Sequence, residues 1–260
     1  MLRPGAAYGW LPHQTGEANC GTQYLRQFGG VVLPTAGARQ FGGVGKRPFY
    51  RCVDYVTQGE TTMATPQLTF NTGQTAILMA DFHREGMGDN PMVRERGTVQ
   101  KARAVLEAAR QAGVLVVYIV VNFRQGYPEI ADRNVVFRER KTSARVPPAD
   151  PVSLIIPEVQ PLPHEPVVVK HRVNAFFGTD LEMILRAHDI DTLVLLGHAT
   201  SGVILSTVRY AADADYRLVV VEDGCADRDA EVHMVLMQRL FPRQATVASA
   251  EAVIQALVRG

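Results

Sequence analysis

The sequence predicts an α/β fold, a doubly wound three-layer sandwich with a mostly parallel central sheet. Three observations carry this. After Met63 the chain holds short Val/Ile/Leu runs that are continuous rather than alternating, as strands buried on both faces require. Between them lie segments with apolar residues at helical spacing. Strand and helix alternate to the end of the chain, and this pattern implies right-handed crossovers.

The elements follow in order. "TAILMAD" is the first strand and ends at Asp81. "MVRERGTVQKARAVLEAARQAG" reads as one helix, with Val99, Ala102, Val105, Leu106 and Ala109 on one face and a stop at Gly113. "GVLVVYIVVN" is the second strand, and "RQGYPE" behind it is a turn punctuated by Gly126 and Pro128. "EPVVVK" is the third strand. "GTDLEMILRAHDI" is a helix with a Thr179/Asp180 cap signal and Leu181, Ile184 and Leu185 on one face. "DTLVLLG" and "YRLVVVED" are the fourth and fifth strands, separated by the helical "GVILSTVRYAADADY". "DAEVHMVLMQRLFP" and "SAEAVIQALVRG" close the chain as helices.

Bulk properties narrow the function. The 260 residues suit one domain of about 200 residues with an extension, or two small domains. A net charge of +1 provides no electrostatic footprint for nucleic acid or an anionic membrane. No apolar run approaches the roughly 20 residues of a membrane span, and the N-terminus lacks the apolar core of a secretory signal. Cys20, Cys52 and Cys225 cannot make a disulfide framework. The expected protein is cytoplasmic, with a small molecule as its partner.

Residues 1–62 hold half of the chain's 22 glycines, repeat "QFGGV" at Gln27 and Gln40, and show no sustained period. They are expected to be a mostly disordered extension, or to precede a true start at Met63, with 63–260 as the folded domain. Cys20 and Cys52 have no assigned role.

In a parallel sheet of this kind the ligand lies beyond the C-terminal strand ends. The residues there are Asp81 with Phe82 and His83, then Asn122, Phe123 and Arg124, then Lys170 with Arg172, then His198, Ala199 and Thr200, then Asp223 to Asp227. Asp81 can also be read as a cap, Lys170 as a solvated lysine, Arg172 as a rim ion pair and His198 as a packed histidine. Arg124 or Arg172 suits a substrate carboxylate through bidentate pairing. Phe82, Phe123, Tyr127 and Phe176 suit an apolar wall. The histidines are scattered without metal-ligand spacing, and neither a P-loop nor a dinucleotide fingerprint is present, so no metal or cofactor is expected.

Three motifs in this order resemble the isochorismatase-like hydrolases, also called cysteine hydrolases: "TAILMADFH", "VVVKHRVNAFFGTDLEMIL" and "LVLLGHATSGVILSTVRYAADADYRLVVVEDGCAD". The resemblance spans about residues 70–250. It implies catalytic roles for Asp81 and Lys170 and a cis peptide between His198 and Ala199. It also implies an oxyanion hole from the Ala199 and Val203 N–H groups, with Ser201 and Gly202 beside the substrate. A dimer or tetramer is implied as well.

The resemblance also implies a departure, because the family's nucleophilic cysteine position is Val203. Valine cannot attack a carbonyl, so the thiolate-dependent amidase cycle does not run in its usual form. The true isochorismatases also lack the cysteine, and they cleave a vinyl ether after an aspartic acid protonates the enol carbon. "KHR" resembles that branch, whereas "VNFRQGYPEIADRN" does not match its substrate loop. The expected function is therefore hydrolysis of a small anionic metabolite by Asp/Lys acid–base chemistry. The alternatives are an amide or ureide hydrolase using water or another nucleophile (Cys225, Ser201 or Ser206), and a non-catalytic binding protein.

Overall fold

The computed structural model describes residues 68–143 and 145–260. The expectations for residues 1–62, for Cys20 and Cys52 and for a start at Met63 fall outside that range. The strands are β1 (Thr75–Ala80), β2 (Leu115–Val121), β3 (Val167–Lys170), β4 (Thr192–His198), β5 (Arg217–Ala226) and β6 (Thr246–Ala248). They form one sheet in the order β3-β2-β1-β4-β5-β6, parallel at every pairing. The helices are α1 (Arg84–Met87), α2 (Pro91–Arg96), α3 (Thr98–Gln111), α4 (Arg138–Thr142), α5 (Leu181–Ala187), α6 (Leu205–Asp213), α7 (Ala230–Val235) and α8 (Ala250–Arg259).

The continuous apolar runs have a simple physical origin. Ile77 and Met79 face a core with Val105 and Leu106 of α3 and Val253 and Leu257 of α8. Ala76, Leu78 and Ala80 face the other core, with Leu181 and Leu185 of α5 and Val208 of α6. Both faces of β1 are covered, so every position in it is buried. Each fully buried aliphatic side chain contributes roughly 1.5–3 kcal/mol relative to exposure.

Two elements differ from the sequence expectation. The helix expected from residue 92 to 113 is broken at Gly97, whose φ of 62° ends α2 and starts α3. The apolar period runs through the break, which hides it in the sequence. The sixth strand has three residues, too few to form a legible run. The cap on α5 comes from Thr179, whose Oγ1 accepts the Leu181 N–H at 3.4 Å, while Asp180 makes no side-chain cap bond. No described helix is long and apolar enough to cross a membrane.

The strand order reverses between β1 and β4, and a crevice forms at the C-terminal ends of such a pair. Ala80 pairs with Gly197, so Asp81 and His198 leave the sheet side by side. Only glycine fits at 197. A Cβ there would lie 2.0 Å from the Ala80 carbonyl oxygen, and φ is +150°.

Candidate active site

Asp81 is held at the end of β1 by its own backbone. Its N–H donates to Ile119 O at 2.8 Å, and the residue has a φ of 52°. The carboxylate then faces β2 and β3. Oδ1 accepts the Val121 N–H at 2.9 Å and Oδ2 lies 2.7 Å from Lys170 Nζ. Lys170 also donates to Arg172 O at 3.2 Å and is 2% exposed. An ammonium this enclosed is tolerated because it is paired and hydrogen-bonded.

His83 stands beside the pair, with Nε2 3.6 Å from Asp81 Oδ1. That nitrogen is buried and makes no hydrogen bond. Burial pushes the imidazole pKa down despite the opposing pull of Asp81, and the Lys170 charge pushes the same way as burial. A returning loop fixes the ring's backbone, since His83 bridges to Ile155 and Ile156 N–H donates to Phe82 O at 3.0 Å.

The turn after β4 supplies the opposite side. The His198–Ala199 peptide is cis. A π-turn over Thr200–Ile204 leads into α6, and Val203 is buried in it. The turn is anchored from below. Asp227 Oδ2 accepts the Ser201 N–H at 2.6 Å. Thr200 Oγ1 lies 2.8 Å from Nδ1 of the fully buried His233, whose Nε2 faces Glu222 and Arg96. Hydrogen bonding from His233, and then from Arg96, holds the Glu222 carboxyl down at about 2. Asn90 Oδ1 caps Met92 N–H at 2.9 Å, so its amide nitrogen is the group 3.2 Å from His198 Nε2. His198 therefore accepts there as a neutral ring, and burial lowers its pKa.

A cavity of about 390 Å³ opens beside this cluster, lined among others by His83, Arg84, Asn122, Phe123, Tyr127 and Arg140. Asp81, Lys170, His198, Ala199 and Val203 do not line it. It borders the Asp81–Lys170 pair through His83 and Val121. Of the residues expected at the substrate, His83, Asn122, Phe123 and Tyr127 are on its wall.

Other expected residues are placed elsewhere. Phe82 is buried in the core under α3, because the chain turns inward after Asp81. Phe176 stacks on Tyr210 at 4.6 Å within the opposite core. Arg124 is 71% exposed and pairs with Glu129 at 2.6 Å. Arg172 donates to the carbonyls of His171 and Glu129. Ser201 is exposed, Gly202 is half-buried and packs near Ala199 and Val173, and Ser206 Oγ donates back to Gly202 O at 2.9 Å. Cys225 is fully buried and burial pushes its thiol up to about 12. No cluster of three or more potential metal ligands occurs among the described residues. The sequence reading missed Asn90, Arg140, Glu222 and His233 because none sits in a recognisable local motif.

An isochorismatase domain profile matches residues 75–252. The maleamate amidohydrolase of Pseudomonas putida is 29% identical over 185 residues, 70% of this chain and 86% of that protein. YecD, an isochorismatase family protein of Escherichia coli O157:H7, is 41% identical over 90 residues, which is 35% of this chain and 48% of that protein. The crystal structure of N-carbamoylsarcosine amidase from Thermoplasma acidophilum superposes with a TM-score of 0.55 at 29% identity, over 68% of this chain and 97% of that one. With the parallel sheet and the strand-end Asp81 and Lys170 on the same 178-residue match (75 to 252), the chain belongs to the isochorismatase family and is a hydrolase of that family.

Proposed function

We propose that this hydrolase cleaves a small anionic metabolite by proton transfer at Asp81, supported by Lys170, with no covalent enzyme intermediate. One observation carries the reading: an enclosed ammonium is paired with the Asp81 carboxylate, and no accessible thiol occurs among the described residues. Val203 occupies the position that the resemblance assigns to the nucleophile. Cys225, the one described cysteine, is sealed in the core with its thiol pushed up to about 12.

For a vinyl ether, the Asp81 carboxyl delivers its proton to the enol carbon. Water adds to the resulting oxocarbenium carbon and returns a proton to Asp81. The hemiketal then collapses, its C–O bond breaks, and an alcohol and a ketone leave. Lys170 orients the carboxylate through Oδ2, and the Ala199 and Val203 N–H groups hold the hemiketal oxygen as its proton passes to the departing alcohol oxygen.

A second reading, an amide or ureide hydrolase, is favoured by relatives named for amide hydrolysis. Here the Asp81 carboxylate takes a proton from water, the hydroxide adds to the carbonyl carbon, and the N–H pair holds the oxyanion. The C–N bond breaks as the proton passes to the leaving nitrogen.

The test is a substrate panel of vinyl ethers, amides and ureides, with intact-mass spectra recorded during turnover. Turnover without an adduct supports the proposal, and the class turned over selects between the two readings. An acyl adduct on Cys225 overturns it.

A further inference from the structure

The cavity beside Asp81 carries more positive charge than its own side chains neutralise. Its lining includes Arg84, Arg140 and Arg145 against a single carboxylate, Glu85. Glu85 pairs with Arg145. Among the described residues neither Arg84 nor Arg140 has an ion-pair partner, and the Arg140 side chain makes no hydrogen bond.

The arginines differ in environment. Arg84 and Arg145 are exposed, whereas Arg140 is half-buried. Its guanidinium carbon sits 5.7 Å from the centroid of the Phe123 ring. Phe123 is itself wedged between Tyr127 and Phe137, at 5.7 and 5.3 Å between centroids. The ring covers one face of the guanidinium and leaves the N–H donors at its edge without acceptors. Opposite charges attract several times more strongly at the effective dielectric of a partly enclosed site than in bulk water. An anion therefore gains more from Arg140 than from its exposed neighbours. Arg124 and Arg172, the two arginines expected to take a carboxylate, are already occupied by Glu129 and by backbone carbonyls. Arg140 also lies close enough to His83 for its charge to bear on that ring, which puts it on the catalytic side of the cavity.

We infer that Arg140 is an anion receptor that takes a carboxylate of a small organic acid in the cavity beside His83, held by the edge of a guanidinium stacked on Phe123. The inference deepens the reading of this site as one for an anionic metabolite and rests on it for identifying the acid as substrate. Binding of the acid can be measured without turnover.

The full-length protein is titrated by calorimetry with malonate, an inert small dicarboxylate, and with malonamide, its neutral counterpart. Malonate is expected to bind saturably while malonamide does not. Arg140→Gln should weaken malonate at least tenfold, and Arg140→Lys should fall between, since a lysine keeps the charge and loses the bidentate edge. Arg133→Gln, the same charge change on an exposed residue outside the cavity, should leave affinity unchanged. Should Arg140→Gln fail to fold, Arg140→Lys alone decides, because a wild-type affinity there contradicts the receptor geometry. Equal malonate affinity in wild type and Arg140→Gln, equal loss in Arg133→Gln, or no binding to wild type overturns the inference. A failed substrate panel with intact, Arg140-dependent malonate binding would instead count against the hydrolytic reading alone.

Discussion

Lys170 Nζ lies 2.7 Å from Asp81 Oδ2, and the two side chains differ in access: the lysine is 2% exposed and the aspartate 13%. The ammonium is enclosed, while the carboxylate keeps some exposure and stands 3.6 Å from His83 Nε2. On the proposed reading Asp81 is the member that exchanges the proton, and Lys170 acts through it.

Asp81→Asn should lower kcat by about 10²–10⁴-fold, the usual worth of a positioned proton-transfer group. The protein should stay folded but lose stability, because the amide oxygen still accepts from the ammonium while the enclosed charge is left unpaired. Lys170→Ala leaves a largely enclosed carboxylate without its cation and should cost about 3–5 kcal/mol of stability as well as activity. Steady-state kinetics and urea unfolding read the two effects. Wild-type kcat in Asp81→Asn would remove the proposed role.

Cys225→Ala should remain active, and iodoacetamide labelling should not track with loss of activity, since the thiol is buried and pushed up to about 12. Val203→Cys is a small volume change and should fold. It sets a thiol in the π-turn that leads into α6, where thiolates are favoured, so alkylation near neutral pH is expected at position 203. Peptide mapping after labelling gives the answer.

Gly197→Ala should be among the most damaging single methyl additions in the sheet. The new Cβ would lie 2.0 Å from the Ala80 carbonyl oxygen at a φ of +150°. Separation of β1 from β4 relieves the clash, at about 3 kcal/mol or more. A melting temperature within a degree or two of wild type would contradict this packing.

Glu222 makes stability depend on acid. Its carboxyl is held at about 2, below its ordinary 4.5, chiefly by hydrogen bonding from His233. A depressed carboxylate stabilises the fold above its unfolded value and loses that contribution as pH falls from about 4.5 toward about 2. Glu222→Gln should therefore be less stable than wild type at pH 6, with the gap closing as the buffer is taken to pH 2. Thermal melts across that range test the sign, and a gap that widens on acidification refutes it.

A chain beginning at Met63 is expected to keep the melting temperature and activity of the full-length protein, because the residues from Leu68 on supply a core on each face of the sheet. A large drop in melting temperature would show that the first 62 residues contribute to the fold.

Much of the site was legible because Asp81, Lys170 and the Gly197–Val203 turn each sit at the end of an unbroken apolar strand. Misplacement began beyond those ends, one residue past Asp81 and six past Lys170. Phe82 and Phe176 read as pocket aromatics, yet each belongs to a core, because the direction of a side chain beyond a strand end depends on the path of the loop. The helix break at Gly97 was hidden by an apolar period that continues across it.

The amino-acid pattern alone determined the α/β class, the five longer strands and the placing of Asp81 and Lys170 at strand ends, because burial on both faces and helical spacing are local signals repeated every two to four residues. Only the tertiary structure decided what supports the chemistry. Asn90 reaches His198 across 108 residues, Thr200 reaches His233 across 33, and Arg140 joins a cavity with His83 from α4. Such contacts follow from the strand order and from how the loops return over the sheet, and no local period encodes them.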